Sequence, residues 1–151
     1  MGRKQSLAAD RTDGAGRHLR RPTVMDGPQI KLLPDGRRLH LQHGPIDLVI
    51  EAFGGREEVG AAYGQAAERV SSVLEELAGE LGNLRSAVTE PRWQPDGPIA
   101  RKMMEAVWPH RKAFVTPMAA VAGAVADETM SALTDGREIA KAYINNSGDI
   151  A

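Results

Sequence analysis

No cysteine occurs in the 151 residues. That excludes disulfide staples, thiolate-held metals, cysteine nucleophiles and an anchor on an acylated cysteine, and it favours a cytoplasmic location. The first ten residues hold charges on both sides and no apolar stretch of seven, so neither a signal peptide nor a membrane span is expected. Arg20-Arg21 has no hydrophobic region after it to make an export signal. Aromatics make up only 4% of the chain. Trp93 and Trp108 therefore read as core anchors or lids rather than as walls around a ring-shaped ligand. Net charge is nearly absent as well, at −1, which removes any global pull towards nucleic acid or an anionic membrane. Among motifs, no Walker-type loop, Gly-x-Gly-x-x-Gly, His-Glu-x-x-His or Ser-His-Asp order occurs, so no residue is assigned a catalytic role.

What charge there is lies unevenly. Residues 1–25 hold six basic side chains and two acids, leaving 13 basic and 18 acidic residues in the remainder. This stretch is expected to be a disordered basic extension, and residues 26–151 one domain. A chain of this length buries roughly two thirds of its unfolded surface in a single core. Six charges on a flexible arm give unspecific, salt-sensitive contacts, and nothing in the body supports base readout, so nucleic acid is not expected as a partner.

The body predicts an α+β fold: an antiparallel meander plus helices packed on a sheet. Ile30–Leu33 and Arg37–Leu41 flank Pro34-Asp35-Gly36 and read as a hairpin, and Ile46–Ala52 as a third strand ending at Gly54-Gly55. From Glu57 to Leu84 apolar residues recur at threes and fours, from Val59 and Tyr63 through Val70 and Val73 to Leu84, giving one long amphipathic helix. Its glycines predict a break near Gly79 or Gly82. Pro98 opens a shorter helix that stops before Pro109, a helix runs from Thr116-Pro117 to about Leu133, and residues 138–144 return as a strand.

The candidate site lies at the last two segments. Thr116 is expected to cap the helix through its hydroxyl, with the N–H groups of Met118, Ala119 and Ala120 pointing outwards as anion donors. The alanine and glycine run that follows leaves the helix surface nearly bare; tight packing on a sheet is the stronger reading of it, and close approach by a flat ligand the weaker. Asn145, Asn146, Ser147 and Gly148 follow an apolar strand and read as a second set of ligand contacts, and Asp149 as a carboxylate for a divalent cation. An ordinary turn explains the same residues at least as well. His40 and His43 stand three apart, which on a strand puts them on opposite faces, so they are read as surface histidines and not as a metal pair. His110-Arg111-Lys112 reads as a solvated basic cluster more readily than as a phosphate site.

The run Pro117-Met118-Ala119-Ala120-Val121-Ala122-Gly123-Ala124, preceded by an apolar Ala-Phe-Val, together with Asn145-Asn146-Ser147-Gly148-Asp149-Ile150, resembles an uncharacterised family of bacterial and archaeal proteins related to the ApbE-like flavin transferases. The resemblance covers roughly residues 30–151 and extends to the segment Asp35–Ala52. It implies an ApbE-like fold, incomplete at the C-terminus, and the N-terminal portion of a longer protein. It also implies a flavin nucleotide, FAD or FMN, or another phosphate-bearing small molecule as ligand, with Mg2+ beside it. Thr116 and Ser147 stand where that family has glycine, and no lysine follows in the small-residue helix. The transferase chemistry is therefore assigned to no residue. The alternative expectation is a non-catalytic ligand-binding or assembly subunit, with a homo-oligomer as one form it takes.

Overall fold

The computed structural model describes residues 27–151, so the basic extension expected over 1–25 lies outside the described residues. Five strands form one antiparallel sheet in chain order: β1 (Gln29–Leu32), β2 (Leu39–His43), β3 (Ile46–Gly54), β4 (Ile139–Asn146) and β5 (Asp149–Ile150). Four helices accompany it: α1 (Arg56–Gly79), α2 (Leu81–Leu84), α3 (Pro98–Val107) and α4 (Val121–Thr134). Short 3-10 turns at Trp108–His110 and Pro117–Ala120 lead into α4. The fold is α+β, as the hydrophobic patterning predicts.

Turn chemistry sets the strand ends. The Asp35 carboxylate accepts the backbone N–H groups of Arg37 and Arg38 at 2.9 and 3.0 Å, and Arg38 Nε at 2.5 Å. These bonds to the charged form hold the Asp35 carboxyl well below the usual carboxylate range. They also draw Arg37 and Arg38 into the turn, so β2 starts at Leu39, two residues later than its pattern suggests. At the next turn Gly44 takes φ +57°, and a Cβ there would meet Leu74 Cδ1 at 2.9 Å. Glycine takes this left-handed angle without strain, and any larger residue would also have to push the Leu74 methyl aside.

Strand alternation divides the sheet into two unlike faces. Leu39, Leu41, Ile46, Leu48, Ile50 and Ile144 are buried under the helices. On the opposite face His40 meets Val49 across the strands and Glu51 meets Tyr143, without a covering element among the described residues. The helix α1 buries Ala62, Ala66, Val70, Val73 and Leu77, spaced by fours and threes. It ends at Gly79, where glycines lower helix propensity, and Leu81–Leu84 continues as the separate helix α2.

Charges tie the helices together. Arg69 on α1 bonds Glu76 at 2.6 Å and Glu128 of α4 at 3.1 Å, and Lys102 of α3 reaches Glu128 at 2.8 Å. Glu76 and Glu80 then accept the N–H groups of Ile99, Gly97 and Asp96 at 2.8–3.1 Å, so two carboxylates of α1's end occupy the start of α3. Burial alone would raise the Glu128 carboxyl, but its bonds to Lys102 and Arg69 outweigh that and leave it below its ordinary value.

Candidate functional site

Where the C-terminal half of α1 passes the start of α4, the side chains leave space between the helices. A cavity of about 470 Å³ remains. Leu74, Leu77 and Ala78 of α1, with Leu81 just beyond, form one wall, and Met118, Val121, Ala122 and Val125 form the other. Two hairpin turns close the ends: Pro45 and Ile46 between β2 and β3, and Asn146 and Ser147 at the end of β4. Neither a charged side chain nor a histidine lines it. Small residues make the space, since Ala78 and Ala122 project too little to bridge the two helices.

One polar group stands out in this apolar lining. Asn146 is 5% exposed, and its Nδ2 donates to the backbone carbonyl of Ala122 at 3.0 Å. That bond fixes the side-chain amide, and Oδ1 accepts no hydrogen bond from the described residues. Nor is Oδ1 sealed away, since Arg92 Nε is the one fully buried side-chain polar atom without a partner among them.

The residues expected from the sequence to form one site are divided among three places. Met118, Asn146 and Ser147 line the cavity, and Ser147 also borders the open sheet face. Ala120 and Asp149 belong to a separate shallow depression beside Lys102 and Asp127. Asn145 faces the open side of the sheet, and its Oδ1 accepts the N–H of Gly148 at 2.9 Å within the turn. Strand alternation separates the two asparagines: β4 runs two residues further than its apolar pattern, to Asn146, so neighbours project to opposite faces. Ser147 (φ +52°) and Gly148 (φ +109°) are the two loop residues of a hairpin in which Asn146 pairs with Asp149. Left-handed angles at both suit a tight hairpin.

The expected donor array at Thr116 is altered. Thr116 makes no side-chain cap, and its carbonyl accepts the N–H of Ala119 at 3.1 Å. The chain winds there as a tighter 3-10 turn, which engages an amide that a regular helix start would leave free. Ala119 is exposed and lines none of these cavities. No group of three or more His, Asp or Glu side chains is placed to share an ion among the described residues.

The other sequence constellations have structural explanations. His40 Nε2 sits 2.8 Å from Asp47 Oδ1 on the open face. His43, expected at the surface, is 7% exposed with Nδ1 3.2 Å from the carbonyl of Val70. The two rings do point to opposite faces. Trp93 and Trp108 pack on Val88, Met104 and Val107 as core anchors. Arg111 stacks on Trp108, 4.6 Å from the ring centre, while its Nε bonds Glu90 at 3.0 Å, so its charge is already matched.

Sequence reasoning missed the α1 side of the cavity. Leu77 and Leu81 fall within the stripe that reads as core and Leu74 stands beside it, and nothing in a helical period tells a filled contact from a hollow one. Glycine at position 44, holding a hairpin against Leu74, is the nearest local signal.

The model of the family described as AbpE bacteria matches residues 30–151, and the chain belongs to that family. This corrects the resemblance drawn from the small-residue run and the Gly-Asp-Ile turn: the match is to AbpE bacteria, and nothing in it links the chain to the ApbE-like flavin transferases, whose name differs by transposed letters only. The turn motif is a two-residue hairpin here, and of the small-residue run Ala124 and Ala126 are buried in the core while Ala119 is exposed and Ala122 borders the cavity. No curated protein matches the chain.

Proposed function

We propose that this protein is a non-catalytic binding module that takes the apolar part of a small molecule into the hollow between α1, α4 and the two hairpin turns. The observation that carries this reading is the cavity of about 470 Å³ walled by aliphatic side chains. That size lies within the roughly 300–1,000 Å³ of ordinary ligand pockets, and an apolar wall with a few polar groups is their usual make-up. A phosphate or a magnesium ion does not fit these residues, because the lining supplies neither a cationic side chain nor a carboxylate. Flavin nucleotides and Mg2+ therefore draw no support from this hollow. A cytoplasmic site of action agrees with the cysteine-free sequence, and no described helix is long and apolar enough to cross a membrane.

A fluorescence titration with 2-methoxynaphthalene, a neutral apolar probe, tests the reading. Saturable binding is expected in the wild type. Ala122→Phe, which fills the hollow, should weaken it at least about tenfold, a loss of roughly 1.4 kcal/mol. Binding that is absent, or indifferent to that substitution, removes the proposal. Binding of FMN with magnesium in competition with the probe would return the site to a phosphate-bearing ligand.

The uncovered sheet face favours a second reading, an assembly subunit. Phe53, Tyr143 and Ile150 are 38%, 43% and 72% exposed. A second copy seated there predicts a dimer by light scattering that Tyr143→Lys dissociates; a monomer at every concentration rejects it.

A further inference from the structure

The structure assigns Asn146 as the residue that selects the ligand's head group, in favour of a neutral hydrogen-bond donor such as a hydroxyl, an amide N–H or a ring N–H. This inference rests on the binding reading of the same cavity. Three observations combine. Asn146 is 5% exposed and lines the hollow, so its side chain borders that space with little access to bulk water. Its Nδ2 is held by the Ala122 carbonyl at 3.0 Å, which leaves Oδ1 as its unengaged atom. The remaining walls are aliphatic apart from Met118 and Ser147, so few other groups compete for a polar substituent.

An amide oxygen accepts hydrogen bonds and donates none. A ligand with an N–H or O–H facing it gains a bond, whereas a ligand with only acceptors leaves two acceptors opposed. A carboxylate or phosphate fares worse, since its charge enters an apolar space without a cation to balance it. The side chain therefore discriminates between molecules of nearly equal apolar bulk. Its own orientation is fixed before binding because α4 holds the amide nitrogen, and a preset acceptor costs no side-chain ordering when the ligand arrives.

Three naphthalenes of similar bulk test this on the full-length protein by fluorescence titration: 2-naphthol, which donates; 2-methoxynaphthalene, which cannot; and 2-naphthoate, which is anionic. The wild type is expected to bind 2-naphthol about tenfold more tightly than 2-methoxynaphthalene, and 2-naphthoate more weakly than either. Asn146→Leu should bring naphthol and methoxynaphthalene to within about twofold of each other, whatever change it makes to the affinity they share. Should that variant fold poorly, the wild-type ranking alone decides. Equal affinity for naphthol and methoxynaphthalene, or naphthoate binding as tightly as naphthol, overturns the role of Asn146 and leaves the apolar pocket standing. Failure of all three to bind, or binding that Ala122→Phe does not weaken, removes the pocket itself.

Discussion

The helix α1 carries two seams that differ in how they are closed. Along one, Arg69, Glu76 and Glu128 meet Lys102 and the start of α3, and most of the charge and the free N–H groups found there have partners within 2.6–3.1 Å. Along the other, Leu74, Leu77 and Ala78 face Val121 and Ala122 across open space, with the unengaged oxygen of Asn146 at its end. The first seam is directional and saturated; the second is apolar and unfinished. A charged contact must be completed, because an unmatched buried charge costs several kcal/mol. An aliphatic contact tolerates a gap at the cost of lost dispersion and hydrophobic gain. A fold that holds space for a ligand is therefore expected to hold it on the apolar seam.

That contrast can be broken most forcefully at Arg69. Arg69→Met should destabilise by about 2 kcal/mol, because Glu76 and Glu128 lose their shared cation in a part-buried setting. Urea denaturation measures it, and an unchanged midpoint would mean that the charged seam contributes nothing. Ala122→Phe in the other seam should change stability by less than about 1 kcal/mol while abolishing probe binding, since the ring enters existing space. A loss near 3 kcal/mol would show the hollow to be too small for a ligand.

A weaker effect should follow pH. The Glu128 carboxyl lies below its ordinary 4.5 in the folded state. Its contribution is then present above the unfolded value and lost as pH falls through the lower folded one. Wild-type stability should drop as pH falls from about 5 towards 3, by at most about 1 kcal/mol from this group after solvent screening. The Asp35 carboxyl, held below its ordinary value by the turn, acts in the same direction. The difference between wild type and Arg69→Met should narrow over that range; a constant gap separates Glu128 from the seam. The smallest effect is expected at Asp149, which faces the depression beside Lys102 and Asp127 and not the hollow. Asp149→Ala should leave naphthol affinity within about twofold, and a larger loss would join two cavities that the geometry keeps apart.

Much of this was legible in the chain. Pro34-Asp35-Gly36 marks a hairpin through the carboxylate and the left-handed glycine, and Pro98 marks a helix start, because each acts through its own backbone. The ending of α1 at Gly79 follows from the same local economy of glycine in helices. The site was legible only in part. Met118, Asn146 and Ser147 do share a hollow, whereas Ala120, Asn145 and Asp149 do not join them. The reason is one of register. Extending β4 by two residues turns Asn145 outwards and Asn146 inwards, and which of two adjacent asparagines faces the helices depends on pairing with β3.

The sequence by itself determined the first four strands, the three long helices, their order and the α+β class, because turn chemistry and hydrophobic period act within a few residues along the chain. Tertiary structure alone decided that space remains between α1 and α4, that Pro45 and Ile46 of the β2–β3 hairpin close one end of it, and that Asn146 is held there with its oxygen unengaged. A cavity is defined by atoms missing between segments dozens of residues apart, and a pattern that marks a leucine as buried carries no measure of the distance to what lies opposite.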